Sequence, residues 1–272
     1  MKRTFVSYAA VQPNEVAFTM GKDRSGKSTV HMHMTKGNST TDVCMVSAPA
    51  ITQWPRCTGD GNFGTMWGPS DVTKAKYTID LCDAEINGKP NTEFTAFSKI
   101  IDMIDDKLLD FVHANQLPLL GRKNLSKEEI KMLQIRSVRP KYDKHTGGLN
   151  GHTLNLSSSK YAWDGMGSKY ERRITICDHQ GKAIPNGAVA PGDVVALTMY
   201  ANMVYTGVGG DKFGIHWSFQ DVSVVCQRAH LEHTTEVTAF TNATWDFSKP
   251  YVDQVSEIHT IPDVTTSEAC AA

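Results

Sequence analysis

Two stretches decide the fold: DVVALTMYANMVYT at 193–206 and FGIHWSFQDVSVVCQ at 213–227. Both are long, β-branched and aromatic, and Gly207-Val208-Gly209-Gly210-Asp211 between them is a turn, so together they predict a hairpin of two long strands. Upstream, RRITIC at 172–177, TLNL at 153–156, SVRPKY at 137–142 and KAKYTIDLC at 74–82 continue in the same vein. In the last of these Ala75, Tyr77, Ile79 and Leu81 fall on one face and Lys74, Lys76, Thr78 and Asp80 on the other. Further up, TDVCMVSAPAIT at 41–52, VAFTM at 16–20 and STVHMHM at 28–34 are again strand-like, the last two paired as a hairpin. No strand–helix–strand alternation recurs, which argues against a doubly wound sheet. The expected fold is mainly β with inserted helices, a curved antiparallel sheet closing into a small barrel.

The helices are confined to the middle. Phe94, Phe97, Ile101, Ile104, Leu108 and Phe111 repeat at steps of three and four, predicting a helix from about Thr92 to Gln116. Asn91 or Thr92 caps it, Glu93 suits its first turn, and Pro118 lies just past its end. Its carboxylates Asp102, Asp105, Asp106 and Asp110 are expected on the solvated face. Ser126 and Glu129 form a capping box for a second helix over roughly 127–135.

The 272 residues carry 28 Lys plus Arg against 29 Asp plus Glu, a net charge of −1, with 40% hydrophobic and 21% charged residues. These values exclude whole-chain disorder, collagen and coiled coil, and deny the global basic signature of a nucleic-acid binder. No apolar run of signal-peptide length precedes Gln12, and no window approaches eighteen apolar residues, so an intracellular protein without a membrane span is expected. Cysteines 44, 57, 82, 177, 226 and 270 are widely spaced with no C-x-x-C pair, which points to thiols rather than a zinc or disulfide framework.

Gly21-Lys22-Asp23-Arg24-Ser25-Gly26-Lys27-Ser28 satisfies the phosphate-loop pattern letter for letter. That loop works only at a helix N-terminus, and Thr29-Val30-His31-Met32-His33-Met34 reads as a strand, so a basic hairpin tip is the better reading. His31 and His33, and His230 and His233, lack further ligands at metal-binding spacing. No nucleophile elbow or metalloprotease motif is present, so neither a catalytic residue, a metal nor a cofactor is expected.

Charge segregation is more informative. Between Gly121 and Lys182 thirteen basic residues face six acidic ones, a net +7, while after about His230 the chain is acidic, seven against Lys249 alone. Aromatics interleave with the bases: Tyr142 beside Lys141, Tyr161 and Trp163 beside Lys160, Tyr170 between Lys169 and Arg172. An unpaired nucleic-acid strand needs both, cations for its phosphates and flat rings for its bases. A glycine-rich loop after Trp54-Pro55-Arg56 adds Phe63 and Trp67, whose setting suggests exposure.

The arrangement over roughly 45–228 resembles the single-stranded DNA-binding proteins of large double-stranded DNA viruses of eukaryotes, themselves similar to OB-fold single-strand binders of certain tailed phages. The likeness rests on the Ser47-Ala48-Pro49 strand, Phe97…Ile104-Asp105…Leu108, Ser126-x-Glu128-Glu129-Ile130, Arg139-Pro140-Lys141-Tyr142-Asp143-Lys144 with Gly147-Gly148, and Gly214-Ile215-His216-Trp217-x-Phe219-x-Asp221-Val222. It implies an OB-fold-like antiparallel β-barrel over 1–229, with a helical insertion at about 92–135. It further implies single-stranded DNA binding without strong sequence preference during viral DNA replication, recombination or repair. The acidic segment 230–272 would then meet replication proteins, although the chain ends Glu268-Ala269-Cys270-Ala271-Ala272 rather than in an acidic cluster; assembly into a homo-oligomer stays open. The expected DNA contacts are Trp54, Arg56, Phe63, Trp67, Lys74, Lys76, Arg136, Arg139, Lys141, Tyr142, Lys144, Lys160, Tyr161, Trp163, Lys169, Tyr170, Arg172, Arg173, Lys212, His216 and Trp217. The alternatives are a β-barrel structural or assembly protein, with Trp54, Phe63 and Trp67 in a subunit interface, and a nucleotide-dependent enzyme using 21–28.

Overall fold

A computed structural model describes residues 5–23, 25–37, 39–58, 76–86, 88–143, 145–159, 161–163, 169–171, 174–178, 181–183, 189–208 and 212–226. In chain order the strands are β1 (Val6–Ser7), β2 (Val16–Lys22), β3 (Ser28–Lys36), β4 (Ser39–Asp42), β5 (Cys44–Val46), β6 (Ala50–Thr58) and β7 (Lys76–Cys82). Three helices follow, α1 (Thr92–Ala114), α2 (Gln116–Leu120) and α3 (Lys127–Leu133). The chain then returns to strands: β8 (Gln134–Ile135), β9 (Val138–Tyr142), β10 (Leu149–Ser159), β11 (Tyr161–Trp163), β12 (Lys169–Glu171), β13 (Thr175–Cys177), β14 (Val194–Val208) and β15 (Lys212–Cys226). The expected fold class holds: the protein is mostly β, rich in antiparallel pairs, with the helices inserted between β7 and β8.

Five strands form the barrel. β6 pairs with β7 and β7 with β10, all antiparallel, while β14 pairs with β6 at Ile51 and Ala50 and along its length with β15. β15 then lies against β10, closing the ring. That seam carries no regular ladder and is stitched by serines: Ser218 Oγ donates to Ser157 O at 2.8 Å, Phe219 N donates to Ser158 Oγ at 2.9 Å, and Ser158 Oγ donates to Phe219 O. Inside, Tyr77, Ile79, Leu81, Leu154, Leu156, Leu197, Met199, Trp217 and Phe219 are buried in one continuous core. The predicted alternation of 74–82 thus holds where described, with Tyr77, Ile79 and Leu81 inward.

Helix α1 lies outside the barrel and buries its expected stripe, with Phe94, Phe97, Ile101, Ile104 and Leu108 inaccessible. Asn91 Oδ1 caps it by accepting from Phe94 N at 3.0 Å, and Asn91 Nδ2 donates to Pro49 O at 3.0 Å, tying the helix start to the chain entering β6. Lys107 Nζ donates to the carbonyls of Pro13 and Val16 at 2.7 and 2.8 Å, and Phe97 meets Tyr8 edge to face. The Ser126–Glu129 capping box forms as expected.

Two local expectations are corrected. Pro118 lies past the end of the long helix as expected, but that helix stops at Ala114 rather than Gln116, and a short helix α2 follows with Pro118 in its first turn, where its missing N–H is tolerated. Ser47-Ala48-Pro49 is not a strand but the link between β5 and β6, and Ser47 uses backbone and side chain together to hold Leu197, accepting Leu197 N on Oγ at 3.0 Å. No helix among the described residues is long and apolar enough to cross a membrane.

Candidate nucleic-acid interface

One segment, 134–142, builds most of the site. It starts as β8, parallel to β15 with Gln134 opposite Phe213 and Ile135 opposite Gly214, and continues as β9, antiparallel to β10 with Val138 opposite Leu154 and Arg139 opposite Thr153. It therefore crosses from β15 to β10 and straps the end of the seam that the serines leave open. The close approach requires Gly214, because a Cβ there would lie 2.7 Å from Ile135 O and 2.5 Å from the Tyr205 hydroxyl.

At the crossing the strap is anchored on α1. Asp105, expected on the solvated face, is instead inaccessible, and its carboxylate accepts from Ser137 N at 2.7 Å and Ser137 Oγ at 2.9 Å. Burial pushes its pKa up to about 6, against the opposing pull of those two bonds and of Arg136. Arg136, expected to contact DNA, is spent on the same helix: it donates to Asp102 Oδ1 at 2.9 Å and to Asp106 Oδ1. Trp217, also expected at the surface, is 1% exposed and donates its indole N–H to Ser137 Oγ at 2.9 Å. Both expectations are corrected: Arg136 braces the strap and Trp217 is a core ring.

Outside the barrel, the strands turn a polar face to solvent. Residues opposite one another in a ladder share a face, and register sets Thr78 opposite Ser157, Asp80 opposite Asn155, and Thr153 opposite Arg139. Asn155 Nδ2 donates to Asp80 Oδ1, His216 Nε2 lies 2.8 Å from Ser157 Oγ, and Asn202 Nδ2 lies 3.3 Å from His216 Nδ1. Strand β9 adds exposed Arg139 and half-buried Lys141 to this face, while Tyr142, 60% exposed opposite the equally open Leu149, turns to the other side at the strand's end. The turn after Tyr142 is shaped by Asp143, whose Oδ1 accepts from His145 N at 2.8 Å and Thr146 N at 2.7 Å. Those bonds, Thr146 first, hold its pKa below the ordinary carboxylate range.

Of the residues singled out from the sequence, Arg139, Lys141 and His216 meet on this face, exposed Lys212 opens β15, and Tyr142, adjacent to Lys141, falls on the opposite side of β9 at its exposed end. Backbone register sets Arg56 opposite Thr78 and Lys76 opposite Ser159, on strands of the same barrel wall. Trp54 lies on β6, Tyr161 and Trp163 on β11, and Lys169 and Tyr170 on β12, the last four in a separate two-stranded ladder. The side chains of Trp54, Arg56, Lys76, Tyr161, Trp163, Lys169 and Tyr170 lie outside the described part. Phe63, Trp67, Lys74, Lys144, Lys160, Arg172, Arg173 and the segment 230–272 lie outside the described residues altogether. Sequence reasoning passed over Asn155, Ser157 and Asn202; the alternation of Thr153, Asn155 and Ser157 with Leu154 and Leu156 was the available signal.

The phosphate-loop match is a hairpin turn between β2 and β3, with Asp23 Oδ1 accepting from Ser25 N and Lys27 N at 2.8 and 2.9 Å. A strand, not a helix, follows Lys27, so no helix N-terminus faces a phosphate there. No group of three or more metal-ligating side chains occurs among the described residues.

No family model and no curated protein matches the chain. Among solved structures it is similar to gp2.5, a single-stranded DNA-binding protein encoded by bacteriophage T7, at 13% identity and TM-score 0.43, over 68% of this chain and 92% of that one. It is also similar to the single-stranded DNA-binding protein of bacteriophage Enc34 in complex with single-stranded DNA, at 11% identity and TM-score 0.37, over 77% and 96% of the two chains. The same Enc34 protein without DNA gives 12% identity and TM-score 0.36, over 78% and 90%. No residue correspondence follows from likenesses of this level.

Proposed function

We propose that this chain binds single-stranded DNA with little sequence preference, along the outward face of β7, β9, β10 and β15. The observation that carries the reading is the placement of Arg139 and Lys141 on one side of the strap strand beside the polar strip of Thr153, Asn155, Ser157 and His216, with the exposed Tyr142 ring at the end of the same strand. Cations there neutralise phosphates, an exposed phenol offers a stacking face that any base can use, and side-chain amides and hydroxyls supply bonds without a fixed code. The role is binding rather than catalysis. A net charge of −1 does not oppose it, because a groove is set by its local potential. Coverage of single strands during viral DNA replication, recombination or repair is part of the same proposal, as is recruitment of replication proteins through 230–272.

The test is a fluorescence titration with oligo-dT and with duplex DNA at several salt concentrations. Oligo-dT should bind in preference, and with about four phosphates neutralised log K should fall with a slope of about −3 against log salt. Equal or tighter duplex binding would overturn the proposal, and no binding to either would favour a barrel with a structural or assembly role.

A further inference from the structure

The strap is anchored deep in the fold. Its anchor is a single hydroxyl on which three elements meet: Ser137 Oγ donates its proton to Asp105 on α1 and accepts the indole N–H of Trp217 on β15. A hydroxyl has one proton to give, so the charged carboxylate dictates which way that bond points and leaves a lone pair for the indole. The rest of the strap hangs from the same helix. Gln134 Nε2 donates to Asp105 O at 2.6 Å, and Arg136 joins Asp102 and Asp106 with its Nε 3.9 Å from Asp105 Oδ2. Arg139 Nε in turn donates to Arg136 O at 3.1 Å, so a cation of the outer face is oriented by the segment that Asp105 holds.

We infer that Asp105 is a positioning residue for DNA, seating the strap in the barrel seam through Ser137 so that Arg139 and Lys141 stand together on the outer face. The inference rests on the DNA-binding reading above. Asp105 touches no DNA; it acts through Ser137 and Arg136. When its carboxyl is protonated the acid proton points at Ser137 Oγ, the hydroxyl must turn away, and the charge that faces Arg136 is gone. The charged and titratable groups that Asp105 feels are Arg136 from the strap, Asp102 on its own helix and Tyr205 from β14. With the carboxyl titrating at about 6, the strap is held by an ionised anchor at neutral pH and by a neutral one in mild acid.

The experiment compares oligo-dT affinity of the wild type and Asp105→Asn from about pH 5 to about pH 7.5 at fixed salt. The two should bind alike at the acid end, and the variant should be about five-fold weaker at the neutral end, with the change centred near the carboxyl's own titration. A ratio that is flat across the range would mark Asp105 as merely structural and overturn the inference. A wild type that does not bind oligo-dT would instead overturn the DNA-binding reading, and the positioning role with it. Should Asp105→Asn not fold, the Trp217 indole N–H resonance of the wild type, assigned with Trp217→Phe, must shift over the same pH range; an invariant resonance overturns the coupling.

Discussion

Replacing Asp105 by Asn should change how stability depends on pH more than it changes stability at any one pH. In the unfolded chain this carboxyl titrates at its ordinary 3.8, and in the folded protein at about 6 because burial disfavours the ionised form. A gap of about two units corresponds to about 3 kcal/mol. The folded state holds the proton more tightly, so the stability that Asp105 contributes is greatest in acid, falls as pH rises between the two values, and is level above the higher one. Asp23, Asp143 and Glu129, whose pKa values are lowered by hydrogen bonds, act in the opposite direction and lose their contributions as pH falls. The difference between wild type and Asp105→Asn cancels those. Urea unfolding followed by circular dichroism should therefore show the wild type losing about 2–3 kcal/mol relative to the variant between about pH 4 and about pH 7. A difference that grows in favour of the wild type with rising pH would refute the reasoning, since it would mean that Ser137 and Arg136 outweigh burial.

Tyr142→Ala should weaken oligo-dT binding about ten-fold while leaving the melting temperature in place, since the ring is exposed and a stacked base contributes about 1–3 kcal/mol. Trp217→Ala should do the reverse, lowering stability by about 3–5 kcal/mol in a denaturant titration, as expected for emptying a buried aromatic site. Gly214→Ala should cost about 1–3 kcal/mol in the same assay, because its Cβ would press on Ile135 O and the Tyr205 hydroxyl. Lys27→Ala should leave equilibrium dialysis with ATP unchanged at no binding, and ATP binding abolished by that substitution would restore the phosphate-loop reading of 21–28.

What was legible in the sequence was whatever periodicity encodes. The hairpin of 193–227, the hairpin of 16–36, the apolar stripe of α1 and the capping box at Ser126 all depend on neighbours along the chain, and all are present. What failed depended on contacts across it. Asp105 is four residues from Ile101 and three from Leu108, hence on the flank of the buried stripe, yet a carboxylate there looks wrong until Ser137 is brought beside it. Arg136 counted as free charge because Asp102 and Asp106, which engage it, are thirty or more residues away. Trp217 and His216 could not both face DNA, because adjacent residues of a strand point to opposite sides; the indole went inward with Ile215 and Phe219. The outer-face role of 153–157 was hidden by small polar residues that look like filler until a barrel wall gives them a side.

The dependence of so many strands on β15 has a consequence during synthesis. β8 and β13 have β15 as their ladder partner, β14 pairs with it along most of its length, and the serines of β10 reach across to it. These contacts join residues up to some eighty positions apart, and β6 must also find β14. Non-local pairing of this kind is slow to nucleate. A nascent chain that has not yet released Cys226 therefore carries helices that can form but a wall that cannot close, leaving one side of β14 as a bare edge able to pair with another chain. Closure arrives in one late step, and shorter fragments should be caught by chaperones or aggregate rather than fold to a smaller version of the barrel.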